Sequence, residues 1–290
     1  MVPVLVQLLS GSGWVSAGVL TGLAVAAVAL QDRWGGEPAK WQCPFHIIYI
    51  VLMLTALMPL SAGSWPAGKT DPAVWMILLL FAALSAGKGP LAASAVGAVL
   101  FWVVLILYCV LLVIGVKDIQ TQWLKPQWTM PQPLAMAALL IAPGSCCLGR
   151  KSTEACRTFR LAAIIITAAA VLTAGVLSPW VASECTDAFY VMTRSVSVTG
   201  IARRLEPLAS AVMTVGWFAL ANLLLTQCGV LTEKFFGRGG RTGVWLAAVA
   251  VAAGSLCGMH ISGWLLLGAG AVFWVFLPAL PQGLEPEKKS

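Results

Sequence analysis

The chain has 290 residues, of which 59% are hydrophobic and 10% charged, with a formal net charge of +7 and a mean hydropathy of +0.89. A soluble domain of this length needs about a quarter charged residues to cover its surface, so a water-facing globule is excluded. The outer surface has to face lipid, and function has to come from what a helical bundle does inside a bilayer.

In chain order the apolar blocks are 4–30, 45–63, 73–87, 91–116, 133–149, 159–180, 206–228, 242–258 and 261–280. A hydrocarbon core about 30 Å thick needs about 20 apolar residues per helical span, whereas barrel strands would be about 10 residues long and strictly alternating. The blocks predict an all-α polytopic membrane protein with nine transmembrane helices, forming one membrane domain over residues 1–290. The breaks 117–132 and 181–205 have room for re-entrant or interfacial helices. No Lys or Arg precedes the first block, so it reads as a retained span rather than a cleavable signal. Nine spans leave the termini on opposite faces. Twelve of the 18 Lys and Arg residues then fall on one face, among them Arg150, Lys151, Arg157 and Arg160. The positive-inside rule places that face, with the C-terminus, in the cytoplasm. The net charge reports this bias and not an affinity for nucleic acid.

The residues that carry chemistry are sparse. No pair of the eight cysteines has C-x-x-C spacing, and a Cys within an apolar block acts as a small hydrophobe. Cys146 and Cys147 form the one vicinal pair. His46 and His260 lack a second ligand at helical spacing, so no metal site is expected. The eleven acids fall in loops or at span ends, and three Tyr and two His add few groups for acid–base work. Neither an enzyme nor a cofactor is expected. With no carboxylate at mid-membrane, ion coupling would fall to backbone carbonyls, hydroxyls or Lys88.

Two stretches have a recognisable order. From Leu84 to Trp123 a Lys-Gly turn leads into a long apolar helix and then a Lys-Asp segment. From Ala188 to Gly229 the chain reads AFYVMTRSVSVTGIARRLEPLASAVMTVGWFALANLLLTQCG. The second stretch resembles the Arg-x-Ile/Val-Ser-x-x-x-Phe-x-x-Arg-Leu-Glu/Asp-x-Leu segment of the spore germination permease family, which precedes a helix with a central Trp. The matching residues are Arg194, Ser197, Arg204, Leu205, Glu206 and Trp217. That family supplies the B-subunit of germinant receptors, within the amino acid–polyamine–organocation superfamily.

The resemblance implies ten helices in two inverted five-helix repeats. Block 4–30 corresponds to the second helix, 45–63 to the third, 133–149 to the sixth and 206–228 to the eighth, so the first helix is missing. It also implies a location in the spore inner membrane, a small amino acid-like nutrient as ligand, and a membrane-anchored A-subunit and a lipoprotein C-subunit as partners. An amino acid or cation symporter of the same superfamily, and a non-transporting membrane scaffold, are the alternatives. In that fold the first and sixth helices are broken where they hold the ligand. A break is therefore expected at Ala142, Pro143, Gly144 and Ser145, whose freed amides would receive a carboxylate; a plain proline kink is the competing reading. Trp217 and Asn222 are candidates to line a cavity, although a buried Asn also serves to bond a neighbouring helix. Tyr49 is the polar reach of the third helix or a member of an interfacial belt. Gly18…Gly22 and Gly254…Gly258 read as close helix packing.

Overall fold

A computed structural model describes residues 2–33, 38–64, 72–126, 128, 130, 132–147, 152–185, 187–196 and 206–273. Among these residues every regular element is helical. The elements are α1 (Val2–Leu9), α2 (Trp14–Arg33), α3 (Cys43–Leu57), α4 (Pro72–Ala86), α5 (Pro90–Gly115), α6 (Pro133–Cys147), α7 (Ser152–Leu177), α8 (Pro179–Glu184), α9 (Ala188–Ser195), α10 (Glu206–Phe236), α11 (Gly240–Leu256) and α12 (Gly263–Ala271). Among the described residues four segments are long and apolar enough to cross a bilayer: Lys40–Ala62, Pro90–Asp118, Arg160–Leu177 and Glu206–Phe236. The protein is thus an all-α membrane protein.

Local chemistry sets the helix boundaries. Pro72, Pro90, Pro133 and Pro179 open α4, α5, α6 and α8, where a missing amide costs no intrahelical bond. Gly89 takes a positive φ of 101° between α4 and α5, a conformation that side chains disfavour. Asp187 caps α9 by accepting from the amide of Tyr190.

Three expectations need correction. Block 4–30 is not one span: a 3-10 turn, Ser10–Ser12, and Gly13 at φ 76° separate α1 from α2. Block 133–149 is not broken at Pro143-Gly144, because α6 continues as one helix to Cys147. A proline removes only one amide donor, and membrane helices absorb that loss within a continuous ladder. The glycine pairs also divide. A methyl at Gly254 would meet Thr55 Cγ2 at 3.0 Å, so this glycine is a packing contact, but Gly258 has φ 65° and ends α11. At Gly18 a methyl would touch Thr167 Cγ2 at 3.5 Å, whereas Gly22 faces open space.

The interior is organised around α10, which packs against α1, α3, α4, α5, α9 and α11. Its buried face includes Trp217, Leu224, Leu225 and Leu231. Small residues allow the close approach: a methyl at Gly229 would come within 2.8 Å of Val244 Cγ2, and one at Gly216 would collide with the ring of Pro3. A second layer is α2 lying along α7 and α6, with α12 against α6 and α3. Between α2 and α7 the Thr21 and Thr167 hydroxyls lie 3.3 Å apart, and each also donates within its own helix, to Ala17 O at 2.8 Å and Ala163 O at 2.9 Å.

Because the Pro3 ring cannot swing aside like a long side chain, Gly216→Ala should destabilise the protein by about 1–3 kcal/mol, the usual cost of overpacking. The expected outcome is a lower unfolding midpoint in a detergent titration. An unchanged midpoint would mean that α1 is not seated on α10 as described.

Candidate functional site

The only polar side chain of α1 is Gln7, and it is 5% exposed. A polar group taken out of water needs partners, and Gln7 has one on each side. Trp217 Nε1 of α10 donates to Gln7 Oε1 at 3.0 Å. Indole has no acceptor to offer, so this bond fixes the amide orientation and turns the NH2 group the other way. Gln7 Nε2 then donates to Asp187 Oδ2 at 2.9 Å, while the amide of Tyr190 donates to Asp187 Oδ1 at 3.3 Å. One glutamine therefore ties α1 to α10 and to the connection between α8 and α9. The same corner is tight elsewhere: a methyl at Gly11, in the turn after α1, would lie 2.8 Å from the carbonyl oxygen of Ala182 in α8.

Asp187 lies outside the four spanning segments but is half-buried. Burial pushes its carboxyl up to about 7, outweighing the amide of Tyr190 and the side chain of Gln7, which both favour the charged form. Tyr108 of α5, fully buried, is within electrostatic reach of this carboxylate. Its hydroxyl has no hydrogen-bond partner, and its ring lies 5.4 Å from that of Phe189 in α9.

The residues singled out from the sequence are dispersed. Trp217 is fully buried, and its one donor is spent on Gln7. Asn222 is 2% exposed, and its Oδ1 has no hydrogen-bond partner. Tyr49 is 1% exposed, far from the exposure of an interfacial belt residue, and its hydroxyl is unpartnered beside Gly270 of α12. The backbone through Ala142, Pro143, Gly144 and Ser145 is helical, and the side chains of these four lie outside the described residues. So do Ser197, Arg204 and Leu205. Arg194 and Glu206 form an exposed ion pair at 3.1 Å that joins the end of α9 to the start of α10. Glu206 in the first turn also suits the positive end of the α10 dipole, so these two signature residues brace helix ends.

A groove of about 620 Å³ runs between α2, α5 and α7, lined by Gly18, Thr21, Gly22, Leu112 and Thr167 among others. None of Tyr49, Trp217 and Asn222 lines it. Among the described residues no three His, Cys, Asp or Glu side chains gather as metal ligands. Neither Gln7 nor Asp187 stands out as a site residue in the sequence. The available signal was the amide itself: a Gln inside an apolar block has to find partners in the bundle.

Trp217→Phe takes the indole donor from Gln7 Oε1 in a buried setting and should destabilise the protein by about 1–3 kcal/mol. Gln7→Leu should do the same by taking partners from both Trp217 and Asp187. The two changes act on one bond, so the double variant should lose clearly less than their sum in a double-mutant cycle of unfolding free energies. Additive losses would show that the Gln7–Trp217 bond contributes nothing to stability.

No protein-family model matches the chain, and no curated protein matches it.

Proposed function

We propose that the chain is a permease-like subunit of a nutrient-germinant receptor, seated in the inner membrane of an endospore and binding a small amino acid. Membrane-anchored A-type and lipoprotein C-type subunits would be its partners. The reading starts from the family resemblance, and the observation that carries it is α1. Eight residues long, α1 rises about 12 Å, less than half of a bilayer core. Most of it is interior: Val4, Leu5, Val6 and Leu9 are each at most 2% exposed, and Leu8 is partly buried. Its first turn lies against the middle of α10 at Gly216, and α6 and α7 flank it. The resemblance leaves a gap beside the sixth helix, and α1 is one of the elements that touch α6, with α2 and α12. The first amides of any helix lack intrahelical acceptors and carry the positive end of its dipole. In α1, Pro3 has no amide to give, so the amides of Val4 and Leu5 are the ones that suit a ligand carboxylate, and the unpartnered Asn222 Oδ1 suits a ligand ammonium.

Helix pairing also supports a permease-like bundle. If block 4–30 holds the second helix of an inverted repeat, α2 corresponds to α7, α3 to α10 and α4 to α11. Segments near a pseudo-two-fold axis touch their own counterparts, and each of these three pairs is in direct contact, whereas the fourth pair, α5 with α12, is not among the packed pairs.

A non-transporting scaffold is the second reading. The continuous α6 favours it, and so does the groove, which none of the three buried polar candidates lines.

Equilibrium binding of radiolabelled L-alanine to the purified chain in lipid nanodiscs, with the other amino acids as competitors, tests the proposal. Saturable binding is expected, weakened about tenfold or more by Asn222→Leu, since a hydrogen bond to a charged group contributes about 1.5–3 kcal/mol. The absence of saturable binding by any amino acid would leave the scaffold. Gradient-driven uptake into proteoliposomes by the chain alone would favour a symporter. The basic-residue bias further predicts a cytoplasmic C-terminus; a C-terminal tag cleaved by external protease on intact cells would reverse the topology.

A further inference from the structure

We propose that Asp187 is a reversible proton-binding site whose occupancy governs the seating of α1: the neutral acid holds α1 against α9 and α10, and loss of the proton loosens it. The proposal does not depend on which ligand, if any, the protein binds. Uptake forms one O–H bond on the carboxylate with a proton from water.

The geometry has three parts. First, Asp187 joins three elements rather than serving a single helix. It caps α9, accepts from Gln7 of α1, and through Gln7 is bonded to Trp217 of α10. Because Trp217 can only donate, Gln7 cannot turn its carbonyl toward Asp187, and the bridge keeps one polarity in both charge states.

Second, the charge has no counter-ion among the described residues. Neither α1, nor α7 from Leu161 to Leu177, nor α10 from Pro207 to Gln227 contains an ionisable side chain. On α9, Arg194 is committed to Glu206 at the surface, and on α8, Glu184 is exposed. From α5 the ionisable group facing Asp187 is Tyr108, a phenol that is uncharged near neutral pH. Its hydroxyl makes no hydrogen bond, so it leaves the carboxylate uncompensated. Cys185, beside α8, is half-buried and free. Two neutral donors, the side chain of Gln7 and the amide of Tyr190, thus face a carboxylate that has lost much of its hydration.

Third, the element that covers Asp187 is short. α1 has eight residues and is joined to α2 through a glycine-containing turn, so it can lift as a unit and let water reach the carboxylate.

The sign follows from linkage. Burial holds the folded-state carboxyl near 7 against an ordinary value of 3.8. With α1 lifted and the group hydrated, the value returns toward the ordinary one. The seated form therefore binds the proton more tightly than the lifted form, and its advantage is fully present below the ordinary value. It is lost as pH rises through about 7.

The full-length chain in lipid nanodiscs is titrated from mildly acid to mildly alkaline pH by infrared difference spectroscopy, with Asp187→Asn as reference. The wild type should show a protonated-carboxyl band lost with a midpoint near 7, absent from Asp187→Asn. In parallel, hydrogen exchange of the peptide spanning α1 is measured on both sides of the midpoint and corrected for intrinsic chemistry. In the wild type α1 should exchange at least about tenfold faster on the alkaline side. Asp187→Asn should show no such change, and Asp187→Glu should keep it with a displaced midpoint. A carboxyl band that titrates only in the ordinary acidic range would overturn the proposal. So would corrected α1 exchange that is the same at both pH values in the wild type. Should Asp187→Asn fail to fold, the wild-type band and wild-type exchange still decide the matter.

Discussion

Inside hydrocarbon no water reaches an unpaired amide or carbonyl, and the whole architecture depends on that constraint. It makes each long apolar segment a helix, and it also removes the usual adhesive. Lipid tails are as apolar as leucine, so helices hold together through close packing and the occasional buried polar bond. Both devices meet on α10. Gly216 and Gly229 let Pro3, Val244 and the Gly240 backbone approach the helix axis, while Trp217 reaches out to the one polar residue of α1. The charges at Arg194 and Glu206 obey the same constraint: they pair at the surface, where their hydration is kept.

What was legible in the sequence follows from what hydropathy can sense. Apolar length is one signal, and each of the nine blocks contains a helix. Charge is a poor guide to where a helix stops, and α10 runs past the end of its block to Phe236 through Glu233 and Lys234, which are good helix formers. The division between α1 and α2 escaped notice because Ser10, Gly11, Ser12 and Gly13 add no charge to an apolar run. Backbone conformation, not polarity, makes that break. Pro143 misled in the opposite direction: it signals a break by type, yet it sits inside a continuous α6.

The candidate site was less legible for a related reason. Asp187 reads as an acid in a loop, which is where soluble surfaces also keep acids. Its burial depends on Gln7 arriving from about 180 residues away in sequence, and no local pattern encodes that meeting. Tyr49, Trp217 and Asn222 were identifiable as unusual residues in apolar helices, and all three are interior. Their partners could not be read from spacing: Trp217 is bonded, whereas Tyr49 Oη and Asn222 Oδ1 are not.

The contact between α2 and α7 has a mechanical consequence. The hydroxyls of Thr21 and Thr167 meet across the interface, but each is already satisfied by a carbonyl one turn back on its own helix. If the two helices slide past each other, neither hydroxyl is stranded in hydrocarbon, because its bond travels with it. Small residues, Gly18, Ala163 and Ala168, line the groove beside these threonines, and Gly22 leaves free space along the path. A seam of this kind resists separation while offering little resistance to shear, the small sliding of packed helices by which bundles change shape.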